Sequence, residues 1–233
     1  MRPEEDPDLG WVEELSGGPQ AAVATAVEEA RGAHGLYRHL EREHRAEGRR
    51  SYIEIDAPLE LHALVQLLRP QHLIEVGVSS GVSSAYLLDA LDRNGMGTLH
   101  SVDLPSVEKP KKSPPRSVKA SWTLPPGRCP GWAVPMKLRR RWDLRLGDKA
   151  AVLPILAAEL PQVDMFVYDV PHDDRAARQE FQLFTKLLSP GGVVIADHGP
   201  GGGLCAGLRG WARAAGAVPT RRSGLGLYGF RRP

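Results

Sequence analysis

Two glycines four residues apart, and acids that recur where apolar runs end, are the groups in this sequence best placed to do chemistry. Gly77 and Gly81 follow the run His72-Leu73-Ile74-Glu75-Val76 and precede Val82-Ser83-Ser84-Ala85-Tyr86-Leu87-Leu88. A buried strand, a small-residue turn and a helix start form a ligand cradle. Backbone comes close to the ligand at the glycines, and unpaired N–H groups point out of the helix N-terminus. Glu75 stands two positions before Gly77, and Ser79 sits where another glycine might stand. A dinucleotide site asks for G-x-G-x-x-G, whereas this turn is G-x-x-x-G. At Leu99-His100-Ser101-Val102-Asp103 a second apolar run ends in an acid, about 20 residues past Gly81, where a doubly wound fold grips ribose hydroxyls. Asp148, Asp169 and Asp197 close or directly follow three later runs. Any one of them alone could be a helix cap or turn former, Asp148 above all. Four acids brought to one sheet edge beside a glycine turn point instead to a binding site, because ligands of such sheets lie outside the carboxyl ends of the strands.

The elements that must position these groups follow from periodicity. Trp142–Leu146, Val163–Asp169 and Val193–His198 read as a third, fourth and fifth strand. Helices are predicted between them. One starts at Pro58 with the stripe Leu61, Leu64, Val65, Leu68, and another begins at the turn with Ser84, Leu87, Leu88, Leu91. A third carries Leu153, Leu156, Ala157, Leu160, and a fourth Ala177, Phe181, Phe184, Leu188. Pro154 is tolerable only in the first turn of its helix. Ser189-Pro190-Gly191-Gly192 reads as a turn, and a helix near Leu204–Ala215 leads to two short strands joined at Ser223-Gly224. Strands alternating with helices imply a mostly parallel sheet, with an antiparallel ending supplied by the last pair.

Outside this alternation lie two other regions. Residues 1–54 read as an acidic, Pro/Gly-containing tail over 1–17 and a helical extension. Its stripe is Val23, Ala26, Val27, Ala30, followed by a piece through Leu36 and Leu40. The extension could serve as a lid, a homodimer surface or plain packing. Residues 104–141 lack periodicity. They carry many Lys, Arg and Pro residues with a lone acid, Glu108, and two tryptophans, Trp122 and Trp132. A connection of that length is a solvated surface loop or a cover over an acceptor, whose anionic group its cations would attract.

The whole chain of 233 residues holds one α/β domain with additions. With 42% hydrophobic and 25% charged residues it is globular in type, and a net charge of +2 gives no ground for a nucleic-acid partner. Cys129 and Cys205 lie far apart without metal-type spacing, the N-terminus lacks an apolar signal region, and no run approaches the ~20 residues of a membrane span. A cytoplasmic protein is expected.

From about Leu59 onward the chain resembles class I S-adenosylmethionine (SAM) methyltransferases, and in particular bacterial methyltransferase-24-type domains. The likeness is carried by Leu73-Ile74-Glu75-Val76-Gly77, Leu146-Gly147-Asp148, Val163–Asp169 and Leu188-Ser189-Pro190-Gly191-Gly192-Val193-Val194. It implies a Rossmann-like, doubly wound, mostly parallel seven-stranded sheet with an antiparallel C-terminal strand. It also implies a SAM-binding domain over 55–233. By resemblance Glu75, Gly77, Ser79, Gly81 and Ser83 line the methionine and ribose end of SAM, Asp103 takes the ribose hydroxyls, and Asp148 and Asp169 complete the cofactor site. Catechol- and caffeoyl-CoA-type O-methyltransferases have an Asp at the fourth strand end, a Lys three residues on, and Asp-Asn at the fifth, and these hold a divalent cation. The positions here read Asp169, His172, Asp197 and His198. The resemblance thus suggests Asp169 and His172 as catalytic groups, and Asp169, Asp197 and His198 as ligands for magnesium or manganese. His172 would replace the lysine as general base. The function implied is methyl transfer from SAM to a small-molecule hydroxyl. A metal-independent N- or carboxyl-methyltransferase and an inactive SAM-binding module are the alternatives.

Overall fold

The computed structural model describes residues 6–47, 58–105, 124–169, 174–197, 204–222 and 226–233. Three helices open the chain: α1 (Leu9–Ser16), α2 (Gln20–Arg31) and α3 (His34–Ala46). The alternation then runs α4 (Pro58–Leu68), β1 (His72–Val76), α5 (Val82–Asn94), β2 (Thr98–Asp103), a 3₁₀ helix (Met136–Arg141), β3 (Trp142–Leu146), α6 (Lys149–Glu159), β4 (Val163–Tyr168), α7 (Asp174–Thr185), β5 (Leu188–Asp197), α8 (Ala206–Ala214), β6 (Pro219–Arg221) and β7 (Leu227–Arg231). The described residues form a seven-stranded sheet of order β3-β2-β1-β4-β5-β7-β6. The pairs from β3 to β5 are parallel, and β7 runs antiparallel to both β5 and β6. This is the doubly wound sheet expected from the sequence.

Successive strand residues point to opposite faces. Leu73, Met165, Val167, Val193 and Ile195 enter a core shared with α1, α2, α4 and α5. Ile74, Phe166, Tyr168, Val194 and Ala196 enter a second core with α6, α7 and α8. That second core is aromatic at its centre, where the Phe166 ring stacks on Phe184 at 4.8 Å and meets Phe181 edge-on at 5.5 Å.

Four local expectations change. Residues 9–16 are helix rather than tail. Asp8 caps the start by accepting from the Trp11 amide, Gly17 closes the end, and Trp11, Val12 and Leu15 are buried. Pro154 lies in the second turn of α6, where its missing N–H leaves the Ala150 carbonyl without its helical donor. Leu188 belongs to β5 rather than α7, and Ser189-Pro190-Gly191-Gly192 is the irregular start of that strand, where the pairing with β4 shifts register. Finally, α5 is buried nearly all round rather than along one stripe, because α4 packs on it from one side and the 3₁₀ helix from another.

Candidate active site at the carboxyl edge of the sheet

Backbone bonds gather four strand ends. Gly147 N–H donates to Asp103 O (2.8 Å), Gly77 N–H to Val102 O (3.0 Å), and Asp169 N–H to Val76 O (2.9 Å). Tyr168 pairs with Ala196, so Asp169 and Asp197 follow side by side at the ends of β4 and β5. The acids singled out from the sequence therefore share one edge, and Asp103, Asp169 and Asp197 are all part-exposed there.

The glycine turn is bent by three left-handed residues: Gly77 (φ 95°), Ser79 (φ 49°) and Gly81 (φ 92°). Glycine adopts this region freely, whereas a serine there is strained and must be held by its surroundings. Part of the hold comes from Asp103, whose Oδ2 accepts the amides of Val78 (2.9 Å) and Ser79 (2.8 Å) and whose Oδ1 accepts the Leu104 amide (2.7 Å). The turn and the end of β2 are one hydrogen-bonded unit. α5 starts at Gly81 without a side-chain cap on its positive end.

Glu75 and Ser83 lie behind the turn. The Glu75 carboxyl has no exposed surface and accepts three hydroxyls, from Ser83 on Oε1 (2.6 Å) and from Ser84 (2.6 Å) and Ser101 (2.7 Å) on Oε2. Burial pushes its pKa above the ordinary glutamate value, against the pull of the three hydroxyls, and the Asp103 carboxylate adds to the rise. Ser101 also accepts from Trp142 Nε1 (2.8 Å), so the network runs from β3 through β2 and β1 into α5.

Asp148 caps α6 by accepting the Ala150 amide (2.9 Å) and is exposed. His172 and His198 lie outside the described residues, so of the catalytic and metal-binding residues read from the sequence the structure brings Asp169 and Asp197 together. Among the described residues no cluster of three His, Cys, Asp or Glu side chains could hold a metal.

Two features of the edge were not picked out from the sequence. Lys149, the first residue of α6, donates to the Tyr168 hydroxyl (2.7 Å) and to Glu180 of α7 (2.7 Å). Tyr168 in turn donates to Glu180, locking the end of β4 beside Asp169. Ordinary Lys, Tyr and Glu residues 12 to 31 positions apart carry no motif that would announce them. The second is the place of segment 125–135: part of the 104–141 stretch read as a surface loop or acceptor cover, it lies on the glycine turn, with Gly131 N–H donating to Ser79 O (2.8 Å) and Ala133 N–H to Ser80 O (3.0 Å). Trp132 within it packs against His44 of α3, with ring centroids 5.0 Å apart. Trp122 and the rest of 106–123 lie outside the described residues.

A Rossmann-like sheet with a glycine turn on its first strand, an acid on its second and an antiparallel seventh strand defines the class I SAM-dependent methyltransferases. Residues 74–198, more than half of the chain, match the methyltransferase-24 family, described as a methyltransferase domain, and the chain belongs to that family. Solved structures agree on the fold. The O-methyltransferase TomG from Streptomyces achromogenes, involved in tomaymycin synthesis and solved with SAM, gives a TM-score of 0.54 at 19% identity over 84% of this chain and 88% of that one. A methyltransferase from Geobacter sulfurreducens gives 0.53 at 17% identity over 85% and 90%. A cofactor-bound protein from MTB gives 0.51 at 16% over 100% and 98%. No curated protein matches the chain. No helix among the described residues is long and apolar enough to cross a membrane.

Proposed function

We propose that this methyltransferase carries the methyl group of SAM to a hydroxyl oxygen of a small-molecule acceptor, with the acids at the ends of β4 and β5 as the reacting edge. The observation that carries this reading is the alignment of Asp169 and Asp197 in neighbouring strands, with the Asp169 amide bonded to the carbonyl that precedes the glycine turn. When bound, SAM supplies a methyl made electrophilic by its sulfonium. The protein's part is to place the acceptor oxygen and take its proton. Asp103, held at the turn through Oδ2, would receive the ribose hydroxyls. Gly77, Ser79 and Gly81 would present backbone to the methionine end, Glu75 and Ser83 would brace the turn from behind, and Asp148 would lie near the base. Asp169 and Asp197 would orient the acceptor, with His172 taking the proton. Asp169, Asp197 and His198 would hold a magnesium or manganese ion, which commonly takes one or two protein carboxylates and keeps several waters, and such an ion would steady the acceptor oxygen. We place residues 55–233 in the catalytic domain and read 104–141 as an insertion covering the acceptor, its excess of cations suiting an anionic group, with 125–135 anchoring it on the cofactor turn.

Labelled SAM offered with a panel of phenols, sugars and cell extract tests the reading. Transfer should fall at least a hundredfold in an Asp169→Ala, Asp197→Ala double variant, and full activity there would refute the assignment of the edge. Activity should also fall as pH drops through the ordinary histidine range. If His172 acts alone as base, EDTA should leave activity unchanged. Loss with EDTA, restored by magnesium or manganese, would add a cation to the same carboxylates. Asp103→Asn should weaken S-adenosylhomocysteine binding about tenfold or more in calorimetry.

A further inference from the structure

We propose that Gly131 and Arg139 are positioning residues for the cofactor turn. They hold the strap 125–135 on the turn's outward carbonyls and so fix Ser79 in its left-handed conformation. The inference rests on reading residues 77–81 as the SAM site.

The turn is gripped from two sides. Its Val78 and Ser79 amides point to Asp103 Oδ2, while its Ser79 and Ser80 carbonyls point the other way and accept from Gly131 and Ala133. With both its N–H and its C=O taken, the Ser79 residue cannot relax out of its strained region without breaking a bond on one side or the other. No second glycine is needed at position 79, because the strap does by hydrogen bonding what a glycine does by conformational freedom.

Strap and turn meet backbone to backbone. A Cβ built on Gly81 would lie 2.8 Å from Gly131 Cα, and one built on Gly131 would lie 2.1 Å from Trp142 Cη2. Gly131 itself has φ +72°, so any side chain there is both strained and obstructed.

The strap is pinned by cations. Arg139 donates through Nη2 to Gly131 O (2.9 Å) and Val134 O (3.1 Å) and through Nε to Val134 O (3.2 Å). The same guanidinium lies over the Trp142 ring at 5.5 Å. Arg128 pairs with Glu47 (2.7 Å through Nε). His39 of α3 bonds Ala133 O through Nε2 (3.2 Å), and its Nδ1 must accept, because Arg42 can only donate to it (2.9 Å). Nε2 therefore carries the proton and is the donor. Trp142 connects this outer grip to the inner one, since its Nε1 reaches Ser101 and thence Glu75. None of these groups lies among the acids of the reacting edge. Loosening the strap should therefore raise the KM for SAM and spare kcat at saturating SAM.

Titration calorimetry with S-adenosylhomocysteine tests this on the full chain. Arg139→Met should weaken binding roughly tenfold, as expected for lost hydrogen bonds from a charged donor. Its unfolding temperature should stay close to wild type, and Arg139→Lys should recover part of the affinity. Arg145→Met, which removes a guanidinium bonded to Asp143 and Glu159 instead, should bind as wild type. Affinity unchanged in Arg139→Met, or a rise in KM matched by an equal fall in kcat, overturns the proposal. Hydrogen exchange on the wild-type protein supplies the second measurement and depends on no variant folding. Saturation with S-adenosylhomocysteine should slow exchange at the Gly131 and Ala133 amides, and unchanged rates there also overturn it. A wild-type protein that binds no S-adenosylhomocysteine removes the cofactor reading itself, which separates that failure from this one.

Discussion

The Glu75 carboxyl is the most constrained ionisable group near the site: fully buried, with three hydroxyls on two oxygens. Its folded pKa lies above the ordinary 4.5, with burial as the main cause. A group raised in this way contributes stability that is complete below its unfolded pKa and is lost as pH rises through the folded value. Through Glu75, acidification from neutral should therefore stabilise the protein, while His72, whose pKa burial and the neighbouring His100 lower, acts in the opposite sense as pH falls. Burial also lifts Asp89 and Asp143, but hydrogen bonds and cations outweigh it, His62 and Arg93 for Asp89, Arg145 and His100 for Asp143. Both carboxyls end below 3.8, so their stabilisation is lost only at still lower pH. Urea unfolding from pH 7 to 5 should show wild type gaining stability relative to Glu75→Gln as pH falls, and parallel profiles in the two proteins would place the effect elsewhere. The sequence made Glu75, Gly77, Ser79, Gly81 and Asp103 legible as a group, because adjacency along the chain and one strand spacing bring them together. It left the direction of Glu75 open. Strand alternation puts Glu75 on the Leu73 face, beneath α5 where Ser83 and Ser84 lie, and only the packed helix makes that face dry.

At the scale of elements, β1, β4 and the α2 stripe followed directly from periodicity, since their apolar runs are buried almost throughout. α1 did not, because the charged and Pro-rich composition of residues 1–17 masks a short helix with only Leu9, Trp11, Val12 and Leu15 to bury. Its capping residues Asp8 and Gly17 were the available signal. The strap 125–135 was illegible for a different reason: its structure consists of backbone bonds to another loop, which leave no periodic trace. If α1 is integral, Trp11→Ala should cost about 3–5 kcal/mol, the range for a buried aromatic, since Trp11 is 2% exposed and its Nε1 donates to Thr220 O of β6. Denaturant titration reading a loss under about 1 kcal/mol would make α1 a surface decoration. Pro154→Ala should act in the opposite sense. It restores a donor to the Ala150 carbonyl in the middle of α6 and should stabilise by about 1–3 kcal/mol.

Across the whole molecule, the N-terminal helices and the sheet share one core. Trp11, Val12, Val23 and Val27 lie in the same apolar cluster as Leu64 of α4, Leu87 of α5 and Val193 of β5. A buried ion pair closes the arrangement, with Arg222 after β6 donating to Glu60 of α4 through Nη2 (2.9 Å) and Nε (3.1 Å), both side chains under a tenth exposed. The Asp8 amide reaches the same Glu60 oxygen (3.2 Å), so the start of α1, the start of α4 and the C-terminal strands meet at one carboxylate. Removing one partner of such a pair strands a buried charge, and Glu60→Ala should cost about 3–5 kcal/mol. The sequence suggested a boundary near residue 54, yet packing of this kind argues that the extension is part of the folding unit and not an appended lid. Calorimetric unfolding should then give one transition whose calorimetric and van't Hoff enthalpies agree. A chain beginning at residue 48 would expose the α4 face that α1 and α2 cover. It should lose cooperative unfolding and near-ultraviolet dichroism while binding hydrophobic dyes. A sharp transition and wild-type S-adenosylhomocysteine affinity in that shortened chain would instead make residues 55–233 self-sufficient and the extension an accessory to the acceptor side.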